Sequence, residues 1–595
     1  MLAQEYKVII DLTQMENDKV PVEITFNGLD MEKQEEYQMP KMVPGTYSIS
    51  DFGRVIDTLY AYDVDGNTIA VERLDVNRWK IDEAVNLSKI TYWVDDTFDE
   101  DRFKDIFEPG GTNIEEDNFL INNFGFVGYL KGRDKHNYSI RVIHPERLYG
   151  ASPMEREVIS STEEIFSADN YFQLTDSPIM YCPTDTASVQ IGETNVMVSV
   201  YSPSGKSNAE FMMSKIEPTL IAAGKYLGGN LPVKSYVVMI YMHKERSNSG
   251  AMGALEHSYS TVFSYPDVDS RYLAQSIVDV TSHEFFHIVT PLTIHSEEIG
   301  DYNFIEAEMS KHLWLYEGVT EYSSMRVQVM YDLITTDDFF DVILSKKRGA
   351  SNYNDTLPFT VMSKGALDIY EDQYANVYEK GALIGLCLDL LLLHESEGNY
   401  DIRQLLDDLA ELYGINKSFK DEELFDIIAD LSFPEIRDFF TRYVEGPEPL
   451  PLYEYLDYAG AVFKEGGTVM INTIGNFSLG FDPDRKALVI SDISDMNEFG
   501  KKMGFKEGDV LYKIMDDEIT IDNYQEVFDK FFKMELRDKV FIEVYRIDKK
   551  GREKTKKLKG RIEQVSEKHG ERIEWIDNAS EAQLNVREAW IGKMK

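Results

Sequence analysis

The sequence predicts a multidomain protein of the α+β class, and three observations lead to this prediction. The chain has 595 residues, well beyond the roughly 150 residues of an average domain. Short strand-like segments separated by turns fill the first 160 residues, whereas helical patterns dominate from about residue 270 to 445. The run of prolines and glycine at 446–451 then precedes a region in which strands again alternate with turns.

Residues 1–160 are predicted to form a β-rich N-terminal domain, in the form of a β-sandwich. The strand candidates are Tyr6–Leu12, Val22–Phe26 and Ile90–Val94. Turn signals such as Pro44-Gly45 lie between such segments. Short strands with frequent turns are typical of two antiparallel sheets packed face to face.

Residues 161–450 are predicted to form a second domain, mixed α/β at first and helical from about residue 335. The predicted elements are strands at Tyr236–Met242 and Ser258–Phe263 and helices over about 270–290 and 310–333. Pro291 should end the first helix, because proline lacks the backbone N–H that a helix interior requires.

Residues 465–563 are predicted to form a smaller domain of strands, turns and one helix. Ala487–Ile490 has the pattern of a strand, and the turn at Gly504–Leu511 leads into another. Residues 564–595 are polar and are predicted to be a C-terminal tail that ends in a helix.

Composition excludes several classes of function. The net charge of −44 argues against nucleic acid and anionic membranes, which bind basic surfaces. It would attract cationic groups such as peptide amino termini, but we favour the alternative of a solvated acidic surface that keeps the protein in solution. Two cysteines are too few for a disulfide framework or a cysteine metal site. No apolar stretch reaches the 18 or so residues that span a bilayer. We expect a periplasmic or secreted protein if a signal peptide was removed before Ala3 or Gln4, and a cytoplasmic one otherwise.

The sequence His283-Glu284-Phe285-Phe286-His287 is the strongest chemical signal in the chain. Histidines four residues apart on a helix share one face, so His283 and His287 can hold one metal ion. This is the H-E-x-x-H pattern of zinc hydrolases, in which the intervening carboxylate, here Glu284, acts as general base. The alternative is a buried helix whose two histidines are hydrogen-bonded within the core.

A catalytic zinc ion needs a third protein ligand and one open position. Glu306, which follows His287 after eighteen residues, lies in what we expect to be a connecting loop. Glu317 lies instead within an amphipathic helical pattern, where a carboxylate among apolar residues needs a cationic partner. We therefore favour Glu317 over Glu306. Glu321, one turn later, either orients a ligating histidine or faces solvent.

Several further segments carry a family resemblance. His283–His287 together with Trp314–Gly318 resembles the gluzincin zinc metallopeptidases. Gly253–His257 resembles the glycyl aminopeptidase family in particular and departs at Leu255 and His257 from the pattern of aminopeptidase N. The family's other segments are found at Tyr378–Gly381 and Val43–Tyr47, while Ser478–Phe481 and Gly504–Leu511 resemble the PDZ domain that the family often carries at its C-terminal end.

The resemblance implies a thermolysin-like catalytic domain that binds one Zn²⁺ and hydrolyses the N-terminal bond of peptides, with small first residues such as Gly or Ala preferred. It also implies the roles of the site residues: His283, His287 and Glu317 as zinc ligands, Glu284 as general base, Tyr378 as oxyanion donor, Glu256 as ligand of the substrate α-ammonium, and Gly253 and Ala254 as the open strand edge beside the substrate backbone. It implies that a C-terminal peptide binds the PDZ-like domain near Leu479–Phe481; the alternative is that this domain packs on the catalytic domain and binds no ligand.

Two other functions stay open at this point: a zinc endopeptidase, and a peptide-binding scaffold with an inactive peptidase fold. The role of His257, the oligomeric state and the physiological substrate are not determined by the sequence. His295 and His312, although near the zinc motif in the chain, are expected to be structural.

Overall fold

The computed structural model describes residues 4–229, 231, 233–244, 246–482, 487–520, 523–547, 552–568 and 570–592. The leader remnant considered at Leu2-Ala3 therefore lies outside the described residues, as do parts of the predicted 465–563 domain. The chain divides into two compact units. Unit 1 comprises residues 1–462 and 575–595, and unit 2 comprises residues 463–574.

Three sheets and one shared core form the N-terminal part of unit 1. Buried side chains from all three sheets, including Ile10, Tyr37 and Phe119, belong to that core. The eight-stranded sheet has the order Glu155–Ser160, Glu163–Ala168, Asn137–Ile143, Glu5–Asp11, Lys19–Asn27, Leu87–Asp95, Tyr60–Asp63, Thr68–Ile69. The four-stranded sheets have the orders Leu148–Ala151, Ile179–Pro183, Asn118–Ile121, Asn113–Glu115 and Tyr129–Leu130, Gln34–Gln38, Arg78–Asp82, Val71–Arg73. The β-rich part thus extends to Pro183, beyond the predicted boundary at residue 160.

A five-stranded mixed sheet follows. Its order is Thr186–Ile191, Thr194–Tyr201, Ser235–His243, Ser260–Pro266, Gly253–His257. The strand predicted at Ser258–Phe263 begins instead at Ser260, because residues 258–259 form the turn that follows a separate strand, Gly253–His257. We call Gly253–His257 the edge strand. It pairs antiparallel with Ser260–Pro266 and ends the sheet, so one side of its backbone is available to a ligand.

Helices make up most of the rest of unit 1. Their bounds are Asn123–Phe126, Tyr171–Thr175, Ala209–Tyr226, Ala274–Phe286, Glu297–Gly300, Thr320–Met330, Thr336–Ala350, Phe359–Lys364, Asn376–Glu395, Ile402–Leu412, Leu424–Leu431, Glu435–Tyr443, Leu452–Tyr458 and Glu581–Ile591. None of the described helices is long and apolar enough to cross a bilayer.

The two helices that carry the candidate site differ from their predicted bounds. The first ends at Phe286 and not at Thr290, and His287 caps it. The second does not start at residue 310: a π-helical segment, Trp314–Val319, leads into the α-helix Thr320–Met330. A π-helical turn inside a helix is a frequent feature of functional sites, and here it contains Glu317.

A glycine pair sets the distance between this π-helical segment and the helix Asn376–Glu395. A Cβ atom at Gly318 would lie 2.5 Å from the backbone of Gly381, so neither position has room for a larger residue. Glu317 and Tyr378 therefore lie on two elements whose backbones are in direct contact.

The segment predicted as a tail, 564–595, divides between the two units. Residues 575–595 belong to unit 1. There the fully buried Arg326 donates to the carbonyl oxygens of Trp590 and Ala589 and pairs with Asp389 and Asp401 at 3.1 and 3.0 Å. The helix Glu581–Ile591 is therefore part of the core of unit 1.

Unit 2 has its own apolar core, formed by a sheet and the helices Glu498–Met503 and Tyr524–Phe532. The sheet has the order Ser478–Asp482, Ala487–Asp492, Val510–Ile514, Lys539–Ile547, Glu553–Arg561, with Asp517–Glu518 paired to Val510–Ile514. Thr468–Asn472 pairs with Gln564–Lys568, and Ala461–Lys464 pairs with Arg572–Trp575 where the chain passes between the units. Ser478–Asp482 lies at the edge of its sheet.

Candidate active site

The two histidines of the motif and Glu317 converge on one point. His283 Nε2 and His287 Nε2 are 3.1 Å apart, and Glu317 Oε2 lies 3.4 and 3.6 Å from them. Tetrahedral zinc with bonds of about 2.0–2.1 Å holds its ligand atoms about 3.3–3.4 Å apart. The three atoms therefore have the spacing of a zinc ligand set.

The remaining polar atoms of these three side chains are all bound by neighbours. Glu321 Oε2 accepts from His283 Nδ1 at 2.7 Å, and the carbonyl oxygen of Thr290 accepts from His287 Nδ1 at 3.0 Å. Each ring therefore carries its proton on Nδ1 and presents a lone pair at Nε2. The hydroxyl of Tyr47 donates to the other oxygen of Glu317, Oε1, at 2.6 Å.

Two buried carboxylate oxygens of this site, Glu317 Oε2 and Glu284 Oε2, lack a hydrogen-bond partner among the described residues. A buried carboxylate oxygen without a partner is costly unless a cation or donor meets it. The site thus fits a metal ion at Glu317 Oε2 and a proton donor, such as a water molecule or an amine, at Glu284 Oε2.

The positions of the two candidate third ligands favour Glu317 over Glu306. Glu317 is 1% exposed, whereas Glu306 is an exposed loop residue whose backbone N–H bonds to Asn303. The group His283, His287 and Glu317 is close enough to hold an ion, and Glu306 is in neither of the groups with that property in the described part of the chain. The predicted orienting residue, Glu321, does contact His283, and it is itself paired with Lys346 at 2.6 Å.

Three carboxylates crowd this buried space and shift each other's pKa. Burial raises the pKa of Glu284 to about 7; the His283 ring opposes this shift, and Glu317 adds to it. Burial, with Glu317 and Glu284 nearby, also raises the pKa of Glu256. Burial would raise the pKa of Glu317 too, but the rings of His287 and His283 outweigh it and the net pKa is lowered. Such a cluster favours bound cations, since each one relieves the repulsion between the carboxylates.

Glu256 lies on the edge strand and contacts the N-terminal domain. A Cβ at Gly45, where φ is +83°, would come within 2.5 Å of its carboxylate, so the turn at Gly45 needs glycine both for its conformation and for space. Atoms of Glu256, Glu284 and His287 lie within 4.8 Å of one another. Gly253 and Ala254, at the start of the edge strand, line the groove beside Glu284.

Tyr378 lines the same cleft as Glu256, and its ring lies 5.6 Å from that of His283. Its hydroxyl is 2.7 Å from the hydroxyl of Tyr374, whose ring packs against Tyr47 at 5.0 Å. Sequence reasoning assigned no role to Tyr47 or Tyr374. The four-residue spacing of Tyr374 and Tyr378 could have indicated their contact, since such residues share a helix face. No local pattern links Tyr47 to Glu317.

The other histidines near the motif contact neighbouring residues, although His257 Nε2 has no hydrogen-bond partner among the described residues. His257 Nδ1 lies 3.2 Å from the Asp176 carboxylate. His312 accepts at Nδ1 from the Trp314 indole, and its Nε2 lies 2.8 Å from the carbonyl oxygen of Asp421. His295 is buried, and its carbonyl accepts from the backbone of Phe419. These contacts agree with the structural roles expected for His295 and His312.

Two open spaces meet at the candidate metal centre. A cleft of about 510 Å³ is lined by Glu256, His283, Glu284, Tyr374 and Tyr378, among others. A larger groove of about 1230 Å³ shares His283, Glu284 and Tyr378 with it and extends beside Gly253. An extended bound molecule that runs from the cleft into the groove would pass over the converging atoms of His283, His287 and Glu317.

Two segments of the chain match one peptidase family. Residues 7–183 match the peptidase M61 N-terminal domain, and residues 276–384 match the M61 glycyl aminopeptidase. The predicted resemblance to glycyl aminopeptidases is therefore confirmed over these segments, while the PDZ assignment stays a prediction. No curated protein sequence matches the chain significantly.

Two solved structures are similar to this chain to different degrees. An aminopeptidase N family protein from Idiomarina loihiensis is 18% identical, with a TM-score of 0.69 over 98% of this chain and 100% of its own. An M1 zinc metallopeptidase from Deinococcus radiodurans, bound to a Tyr-Ser-Ala substrate, is 13% identical, with a TM-score of 0.48 over 76% of this chain and 96% of its own. The first likeness shows that the multidomain α+β fold is shared.

Proposed function

We propose that this chain, which carries the N-terminal and catalytic domains of the peptidase M61 family, is a zinc-dependent aminopeptidase that removes small residues such as Gly or Ala from peptides. The observation that carries the proposal is the convergence of His283, His287 and Glu317 on one point beside two further carboxylates. The three ligands account for the metal. The further carboxylates account for a general base and for recognition of a free amino terminus.

The side chains divide the chemistry between them. When bound by the three ligands, zinc lowers the pKa of a coordinated water molecule and polarises the scissile carbonyl. Glu284 takes a proton from the attacking water and passes it to the leaving amine, a transfer suited to a carboxyl whose pKa is raised toward neutrality. Tyr378, aligned by Tyr374, donates a hydrogen bond to the oxyanion of the tetrahedral intermediate.

Glu256 distinguishes an aminopeptidase from an endopeptidase. Its carboxylate is partly buried beside Glu284 and His287, so it would meet the α-ammonium when the first peptide bond lies at the ligand atoms. A charged pair formed in such a desolvated place contributes strongly to binding. The edge strand supplies backbone groups for the substrate chain.

The test compares free and N-acetylated Gly- and Ala-amide reporters, with and without a chelator. Free reporters should be cleaved in a chelator-sensitive way, and acetylated ones should be cleaved at least about 100-fold more slowly, since they lack the charged amine. Glu256→Gln should raise KM for free reporters and reduce this preference. Equal cleavage of both reporters would identify an endopeptidase, and no cleavage across a broad panel would favour the scaffold.

We infer a separate peptide site in unit 2. Its support is the resemblance of Ser478–Phe481 to a PDZ carboxylate-binding segment and the edge position of the strand Ser478–Asp482, on which Leu479 is 37% exposed. A peptide labelled at its N-terminus should bind the Glu284→Gln chain and lose about tenfold in affinity when its C-terminal carboxylate is amidated. Equal binding of acid and amide would contradict a carboxylate-binding site.

A further inference from the structure

A small cavity is lined in part by Glu256. It encloses about 40 Å³ and shares Gly45, Tyr47 and Glu256 with the cleft that contains the ligand atoms. Most of its wall is apolar and includes Phe172 and Leu313. A substrate whose α-ammonium meets Glu256 has its first side chain one carbon away, so this cavity is the space beside that side chain.

Two wall residues carry polar atoms with nothing to bind. His257 Nε2 and the Tyr302 hydroxyl are both buried, and neither has a hydrogen-bond partner among the described residues. The His257 ring is 4% exposed, and its Nδ1–H faces Asp176, so a neutral ring presents an acceptor at Nε2. Leaving two such atoms unpaired in one apolar cavity costs stability unless a ligand satisfies them.

Tyr302 is held firmly although it belongs to a long connection. Residues 292–309 link the two halves of the metal centre, and this connection contributes Leu292, Tyr302 and Met309 to the cavity wall. Its Phe304 is buried in the N-terminal core, and the carbonyl oxygen of Phe304 accepts from the backbone of Lys41 at 2.7 Å. The Tyr302 ring packs on Phe304 with centroids 5.1 Å apart.

We propose that this cavity receives the side chain of the substrate's first residue and selects a small hydroxylated one, serine or threonine, through His257 and Tyr302. The proposal rests on the aminopeptidase function above. A hydroxyl group is donor and acceptor at once, so it can donate to His257 Nε2 and accept from the Tyr302 hydroxyl. About 40 Å³ corresponds to roughly three water-sized positions, which admits two or three heavy atoms and excludes lysine, arginine and aromatic side chains.

The experiment uses pairs of substrates with the same shape. Amide reporters of threonine and valine, and of serine and 2-aminobutyrate, differ by a hydroxyl in place of a methyl group. The hydroxylated member of each pair should show a kcat/KM about tenfold higher, the effect expected of one or two buried hydrogen bonds. Tyr302→Phe should lower this ratio severalfold, whereas Tyr60→Phe, at an exposed tyrosine of the N-terminal domain, should leave it unchanged.

Binding provides a second readout that does not depend on turnover. By calorimetry, threonine amide should bind the wild-type chain about tenfold more tightly than valine amide, and Tyr302→Phe should reduce the difference. A ratio of one in both measurements, while Gly and Ala reporters are cleaved, would overturn the serine–threonine assignment alone. If no reporter is cleaved, the aminopeptidase function fails, and calorimetry still decides what the cavity binds.

Discussion

Glu284→Gln should lower kcat on Gly- and Ala-amide reporters by a factor on the order of 10²–10⁴, the range that a general base contributes. The substitution keeps the shape of the side chain and removes its ability to accept a proton. Glu284 contributes none of the three converging ligand atoms. The purified variant should therefore still contain about one zinc ion per chain by elemental analysis.

The matched control is Glu210→Gln, which makes the same chemical change on the exposed face of the helix Ala209–Tyr226 and should keep wild-type activity. A Glu284→Gln enzyme with near-normal kcat would exclude Glu284 as the base. Loss of both zinc and activity would show instead that Glu284 supports the metal site.

Glu317→Ala should remove both metal and activity. It deletes the ligand that completes the set with His283 and His287, and it leaves the Tyr47 hydroxyl without its acceptor. Zinc content after dialysis should fall from about one ion per chain to near zero, because two histidines alone do not make a catalytic site. Cleavage of the reporters should fall below detection.

Glu306→Ala provides the comparison, since Glu306 is the other candidate for the third zinc ligand, at eighteen intervening residues from His287. It lies exposed in its loop, so this variant should keep its zinc and its activity. The reverse pattern, with zinc lost from Glu306→Ala and kept by Glu317→Ala, would mean that the connection 292–309 changes position when metal binds.

Local periodicity predicted much of this site. The i, i+4 spacing of His283 and His287 places both rings on one helix face whatever the rest of the chain does. The apolar pattern around Glu317 indicated a buried carboxylate, although the backbone there is π-helical and not the α-helix expected. The strand predicted at Tyr236–Met242 was found within one residue of its bounds, at Ser235–His243, whereas the strand predicted at Ser258–Phe263 lies at Ser260–Pro266.

The parts that sequence reasoning missed depend on contacts between distant segments. Tyr47 reaches Glu317 across 270 positions of the chain, and Asp176 reaches His257 across 81. Such pairs form because the sheets of the N-terminal domain pack against the helical part of the same unit, and no short-range pattern encodes that packing. The early end of the motif helix at Phe286 has a local origin instead, since the ring of His287 binds the carbonyl oxygen of Thr290 three residues later.

The helix Glu581–Ile591 has a consequence for how the protein is made. A ribosome delivers residues in order, and domains of a nascent chain begin to fold as they emerge. The buried Arg326 is synthesised long before the Trp590 carbonyl that it binds, and all of unit 2 is translated between them. Unit 1 therefore completes its core only after unit 2 has left the ribosome, and a chain arrested within residues 463–574 would carry the proposed metal ligands in an unfinished core.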